Sequence, residues 1–126
     1  MSTAIPMPSF KDIPLWQRSM QLTVNIYQFT NQLPATERLG LGNNLQQTAT
    51  SVPSVLAVGT KAGRDGFRIA CVKGLQALAE VETLLIIAQQ MYPAVPIDNI
   101  LAETSELQTF MVDMVKRLTK QPPKPV

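Results

Sequence analysis

Four stretches of this 126-residue chain place apolar residues at alternating spacings of four and three, with proline or glycine between one stretch and the next. That alternation keeps one face of an α-helix apolar over several turns and fits no strand, whose period is two. In the first stretch Leu15, Ser19, Leu22, Ile26, Phe29 and Leu33 follow it, until Pro34 and the Gly40/Gly42 pair interrupt. The second opens near Asn43 and carries Leu45, Ala49, Val52 and Leu56. Pro53 lies inside it, where a kink or one lost hydrogen bond is expected. The third runs from Asp65, the expected N-cap, to Met91, with Phe67, Cys71, Leu75, Leu78, Val81, Leu85 and Ala88 inward and Pro93 and Pro96 beyond its end. The fourth spaces Ile100, Thr104, Leu107, Met111, Met114 and Leu118 in the same way. Helices over 12–33, 43–61, 65–91 and 98–120 with short connections predict an all-α fold, an antiparallel up-down-up-down four-helix bundle.

The expected organisation is an N-terminal tail over 1–10, the bundle domain over 11–120 and a proline-rich C-terminal tail over 121–126, where Pro122, Pro123 and Pro125 cluster. An apolar fraction of 45% suffices for one core. The start of the chain lacks a basic segment followed by a long apolar run, so no secretory signal is read there. The densest apolar run, Leu84–Ala88, is far short of the roughly 20 residues that span a bilayer. The expectation is a cytoplasmic protein without a membrane partner.

Composition removes several chemistries. The chain has no histidine, which excludes histidine metal sites, Ser–His and Cys–His catalysis and imidazole proton transfer. A single cysteine, Cys71, excludes an intrachain disulfide and a CxxC framework. On the apolar face of the third helix it reads as a small hydrophobe, although Arg68 and Lys73 nearby would lower its pKa if it were exposed. Glu80 and Glu82 form a close carboxylate pair in the third helix, but residues two apart point about 200° from each other and cannot converge on one atom. The segment from Gly59 to Gly66 resembles a phosphate loop only superficially. It lacks the Gly-Lys-Ser/Thr ending and a preceding strand, so it reads as a helix connector. No catalytic, metal or cofactor residues are assigned, no small-molecule substrate is expected, and the chain is read as non-enzymatic.

Two surface features remain. Eleven cations against nine acids leave a net charge of only +2. An antiparallel bundle nevertheless gathers Lys11, Arg18, Lys61, Arg64, Arg68, Lys73, Lys116, Arg117, Lys120 and Lys124 at one pole, against Asp12, Asp65 and Asp113. The remainder then holds Arg38 against Glu37, Glu80, Glu82, Asp98, Glu103 and Glu106. Lys61, Arg64, Arg68, Lys116, Arg117 and Lys120 are the expected polyanion-binding set, a positive field able to attract phosphates. The third helix also carries Ile69, Val72, Leu84, Ile86 and Ile87 beside its core stripe, more apolar surface than one monomer core requires. These are the expected oligomer interface.

The segment Phe10-Lys11-Asp12-Ile13-Pro14-Leu15-Trp16-Gln17 is similar to the opening of the bacterial four-helix bundle proteins, also called 23S rRNA intervening-sequence proteins. In the same order follow Tyr27 through Leu33-Pro34, then Glu37-Arg38-Leu39-Gly40-Leu41, Ser51-Val52-Pro53-Ser54, Ala57 and Gly59, Arg64 and Phe67, and Glu80-Val81-Glu82-Thr83. The resemblance covers about residues 10 to 120. It implies a four-helix bundle assembled as a ring-like homo-oligomer, a pentamer, and it brings no catalytic motif. The accessory variability determinant proteins of diversity-generating retroelements look like relatives, and they imply basic rings that bind a reverse transcriptase and nucleic acid. The chain departs from the family pattern at Gln46 and Gln47, where arginines are common, and at Val55 and Val58, which replace an Asn and a Glu. Gln76-Ala77 stands for a Gly-Ser pair. Two functions stay open: an oligomeric module that docks RNA, DNA or a nucleic-acid enzyme through its basic pole, and a structural or protein-binding scaffold with no nucleic-acid role.

Overall fold

The computed structural model describes residues 9–120, and all regular structure among them is helical. Helix α1 spans Pro14–Thr30, α2 Leu41–Gly59, α3 Gly63–Met91 and α4 Asp98–Thr119. Three-residue 3-10 turns occupy Phe10–Asp12, Ala35–Glu37 and Thr60–Ala62. Of the expected tails, 1–8 and 121–126 lie outside the described residues, whereas Ser9 and Phe10 are structured. Ser9 Oγ accepts a hydrogen bond from the Lys11 amide at 3.2 Å, and the Phe10 ring meets Trp16 edge-on at 5.2 Å between centroids.

Local chemistry sets the boundaries. Pro14 takes the first helical position of α1, where its fixed φ suits the helix and its missing N–H has no partner to lose, so α1 starts two residues later than expected. Its end comes three residues early, because the amides of Asn31, Gln32 and Leu33 reach back only three residues. Helix α2 is continuous through the buried Pro53. The expected N-cap role of Asp65 is not what is found: α3 begins at Gly63, and Asp65 lies within its first turn, bonded to Arg68. Gly63 turns the chain there with φ +77°, which a side chain would oppose. Glu37 sets the start of α2. One carboxylate oxygen accepts from the Leu41 amide and the other from the Tyr92 hydroxyl just past α3, which raises the Tyr92 phenol above its ordinary pKa.

Each helix packs on its chain neighbours, and α1 closes the cycle by packing on α4. Between α1 and α2, Thr23 Oγ1 lies 3.1 Å from the Ala49 carbonyl and Gln46 Nε2 donates to Thr30 Oγ1 at 2.9 Å. Between α1 and α4, Arg18 stacks over the Phe110 ring at 4.6 Å and Asn25 donates to Glu103 at 2.7 Å. Gln108 on α4 donates to Glu82 on α3 at 3.1 Å. A Cβ on Gly59 would come within 2.4 Å of the Ala70 Cβ, and one on Gly74 within 2.7 Å of Met111 Sδ, so these glycines let α3 approach α2 and α4 closely. In every pair, including α2 with α3, where Gly59 lies by Ala70 and Val52 by Gly74, residue numbers rise along one helix as they fall along the other.

The core contains the expected stripe from Leu15 to Leu33, all four positions of α2, and Cys71, Leu78, Val81, Leu85 and Ala88 of α3. From α4 it takes Ile100, Thr104, Leu107 and Met111, while Phe67, Leu75, Met114 and Leu118 are only half-buried. Every buried side-chain polar atom among the described residues has a partner. Ser19 and Thr104, for instance, donate to the carbonyls of Trp16 and Ile100.

Candidate polyanion-binding pole and outward helix faces

The cross-helix contacts decide which chain ends share a pole. Gly59 meets Ala70 and Arg18 meets Phe110, so the end of α2 and the start of α3 close one end, as do the start of α1 and the end of α4. Among the described residues that end holds nine cations and three aspartates. Lys61, Arg64, Lys116, Arg117 and Lys120 are exposed and Arg68 is half-buried. Two members are neutralised within their own helices: Arg68 pairs with Asp65 at 3.0 Å and Arg117 with Asp113 at 3.2 Å. No acidic side chain stands within ion-pair reach of Lys61, Arg64, Lys116 or Lys120 among the described residues. The start of α3 adds backbone amides without a capping side chain, a further source of positive potential.

The expected interface set divides. Ile69, Ile86 and Ile87 are each about two-fifths exposed, whereas Val72 and Leu84 are half-buried, and Leu84 packs on the core. Sequence reading missed a second outward patch, Met20, Val24 and Tyr27 on α1, exposed by 38%, 46% and 45%. Its signal was available as a 4-3 spacing offset from the core stripe.

The remaining candidates receive plain placements. Cys71 is fully buried, and that burial pushes its thiol up to about 11, opposite to the activation that exposure near Arg68 and Lys73 would give. Glu80 is exposed, while Glu82 is half-buried against Gln108, so the two carboxylates diverge. The segment from Gly59 to Gly66 is a connector of one 3-10 turn plus the first turn of α3. Gln46 ties α2 to Thr30, Gln47 points to solvent, Val55 is half-buried, and Val58 is 71% exposed at the end of α2. An open groove of about 720 Å³ runs between α1 and α4, where Arg18 and Phe110 face Glu106 and Asp113. The described residues contain no group of three or more potential metal ligands and no helix long and apolar enough to cross a membrane.

Fold and surface define an all-helical protein whose charges are segregated by its folding. A comparison with curated proteins finds no match. The chain belongs to the 23S rRNA-intervening sequence protein family, whose sequence model matches residues 11–119 and so takes in all four helices.

Proposed function

We propose that this chain is an antiparallel up-down-up-down four-helix bundle acting in the cytoplasm as a non-enzymatic, self-associating module that docks RNA or DNA at its basic pole. The opposed numbering across all four helix contacts supports the topology. The absence of histidine, the sealed thiol and the diverging glutamates support a role without catalysis. Self-association, in the ring-like pentamer that the resemblance implies, is supported by the outward isoleucines of α3.

One observation carries the docking: two basic clusters about fifty residues apart in sequence, Lys61 to Arg68 and Lys116 to Lys120, lie at one end, where among the described residues Asp65 and Asp113 are their ion-pair partners. Contacts of this kind neutralise phosphates and read no bases, so binding is tolerant of sequence. A ring raises affinity by offering several poles to one strand. If one pole neutralises about six phosphates, raising salt from about 50 to about 200 mM lowers affinity roughly 10³-fold. The test is a salt titration against a structured RNA and a DNA duplex, repeated with Arg64→Glu, Arg68→Glu and Arg117→Glu combined. The expected result is loss of binding with helicity and assembly intact. Absence of binding at about 50 mM salt, or binding that survives the triple reversal, leaves the protein a scaffold without a nucleic-acid role.

A further inference from the structure

The basic pole carries aromatic side chains as well as cations. Phe10 and Trp16 meet there edge-on, and each keeps part of its surface in solvent. Trp16 lies two turns before Thr23 on α1, and the Thr23 hydroxyl touches Ala49 of α2. Two turns beyond Ala49 is the last turn of α2, so in this antiparallel pair Trp16 flanks the end of that helix, just before Lys61. Phe67 reaches the same helix end from α3: a Cβ on Gly59 would lie 3.5 Å from its Cα. Trp16 and Phe67 rest on the core and are half-buried, which holds their rings in place without closing them off. Phe29, near the opposite end of α1, is buried. The neighbouring Lys11, Lys61 and Arg64 are exposed, with no carboxylate in ion-pair reach among the described residues.

We infer that the polyanion this pole takes is a single strand of RNA or DNA, whose bases stack on Phe10, Trp16 and Phe67 while Lys11, Lys61 and Arg64 hold its phosphates. This rests on the docking proposed above and narrows its ligand. Cations alone attract any phosphate chain, whereas aromatic rings add affinity only where bases are unpaired and free to turn outward. In a duplex the bases are already stacked on one another, and the rings at the pole go unused. Every base has a face to stack, so the preference is for strandedness and not for sequence.

Trp16 is the chain's only tryptophan, so its fluorescence reports on this surface directly. The full chain is titrated at about 50 mM salt with end-labelled oligothymidylate of about 16 nucleotides and with a labelled DNA duplex of equal length. Anisotropy of the label gives the affinities. The strand is expected to quench Trp16 and to bind at least about 5-fold tighter than the duplex, the yield of one stacked base. Phe10→Leu keeps an apolar side chain in the 3-10 turn and removes its ring. It is expected to lower strand affinity about 5- to 150-fold with an unchanged slope against salt, because no cation is lost. Circular dichroism checks its helicity, and Phe67→Leu replaces it under the same criteria if helicity falls. Equal or tighter binding of the duplex, strand binding that leaves Trp16 unquenched, or strand affinity that survives loss of the ring overturns the inference and leaves a purely ionic pole. Failure of both DNAs to bind instead removes the docking reading itself.

Discussion

The first helical hairpin and the second bury their cores by one rule and meet solvent by opposite ones. Residues 1–60 hold five charged side chains, and α2 holds none; the remaining residues hold fifteen. Yet α1 and α2 present inward leucines at the same alternation as α3 and α4. Core spacing therefore fixes where a helix lies and leaves its outer surface free to diverge. Apart from the exposed Val58, that surface in α2 consists mainly of hydroxyls and amides, and Thr50 and Ser54 turn their hydroxyls onto the helix's own carbonyls. In α3 and α4 it carries the polarity of the whole molecule. Salt and charge reversal should act mainly on the second hairpin, which holds most of the charge.

The strongest way to break this comparison is through the core, where the hairpins ought to be equivalent. Leu45→Ala in α2 and Leu78→Ala in α3 remove fully buried side chains. Each is expected to lower unfolding free energy by about 2–5 kcal/mol. Urea denaturation that finds one of them near neutral would show that the two hairpins do not share one core. A smaller effect separates them by pH. Cys71 ionises near its ordinary 9.0 in the unfolded chain but at about 11 when folded. Between those values the unfolded state sheds a proton that the folded state keeps, so stability falls as pH rises from 9 towards 11 and is unaffected below. The Cys71→Ala variant should lack that component, and identical slopes for the two proteins would contradict the assignment. The smallest effect belongs to the surface. Asp113→Asn breaks an exposed pair with Arg117 and should change stability by less than about 0.5 kcal/mol. It should nonetheless raise affinity for a polyanion at low salt, because it frees a cation at the pole; unchanged or weaker binding would remove Arg117 from the contact surface.

Apolar spacing made the four helices and most of the core legible, since Leu15, Leu22, Leu45, Leu56, Leu78 and Leu85 each carry a strong burial signal in their own right. Phe67 and Leu75 were over-read. Leu75 lies about 100° around α3 from the centre of its buried stripe, at the edge where exposure begins. Small residues were under-read. Gly59, Ala70 and Gly74 are buried because helices cross closely there, and a residue with no side chain gives a hydropathy pattern nothing to count. The link from Glu37 to Tyr92 was equally hidden, as it joins residues 55 apart whose types predict no partner. At the pole, sequence supplied the cations and the topology that gathers them. The spacing of Asp65 to Arg68 and of Asp113 to Arg117 puts each aspartate one helical turn away, but side-chain rotamers decide that both pairs form.

Three of the four helix contacts join consecutive helices; only α1 with α4 reaches across the length of the chain. The first three can form with short loops to close, at low entropic cost, as fast-folding helical domains do. The remaining seam, held by Asn25 with Glu103 and Arg18 with Phe110, must bring together the first helix and the last. It acts as a clasp. Each helix can find its consecutive neighbour through a short connection, and the contact of α1 with α4 then locks the four into a closed cycle.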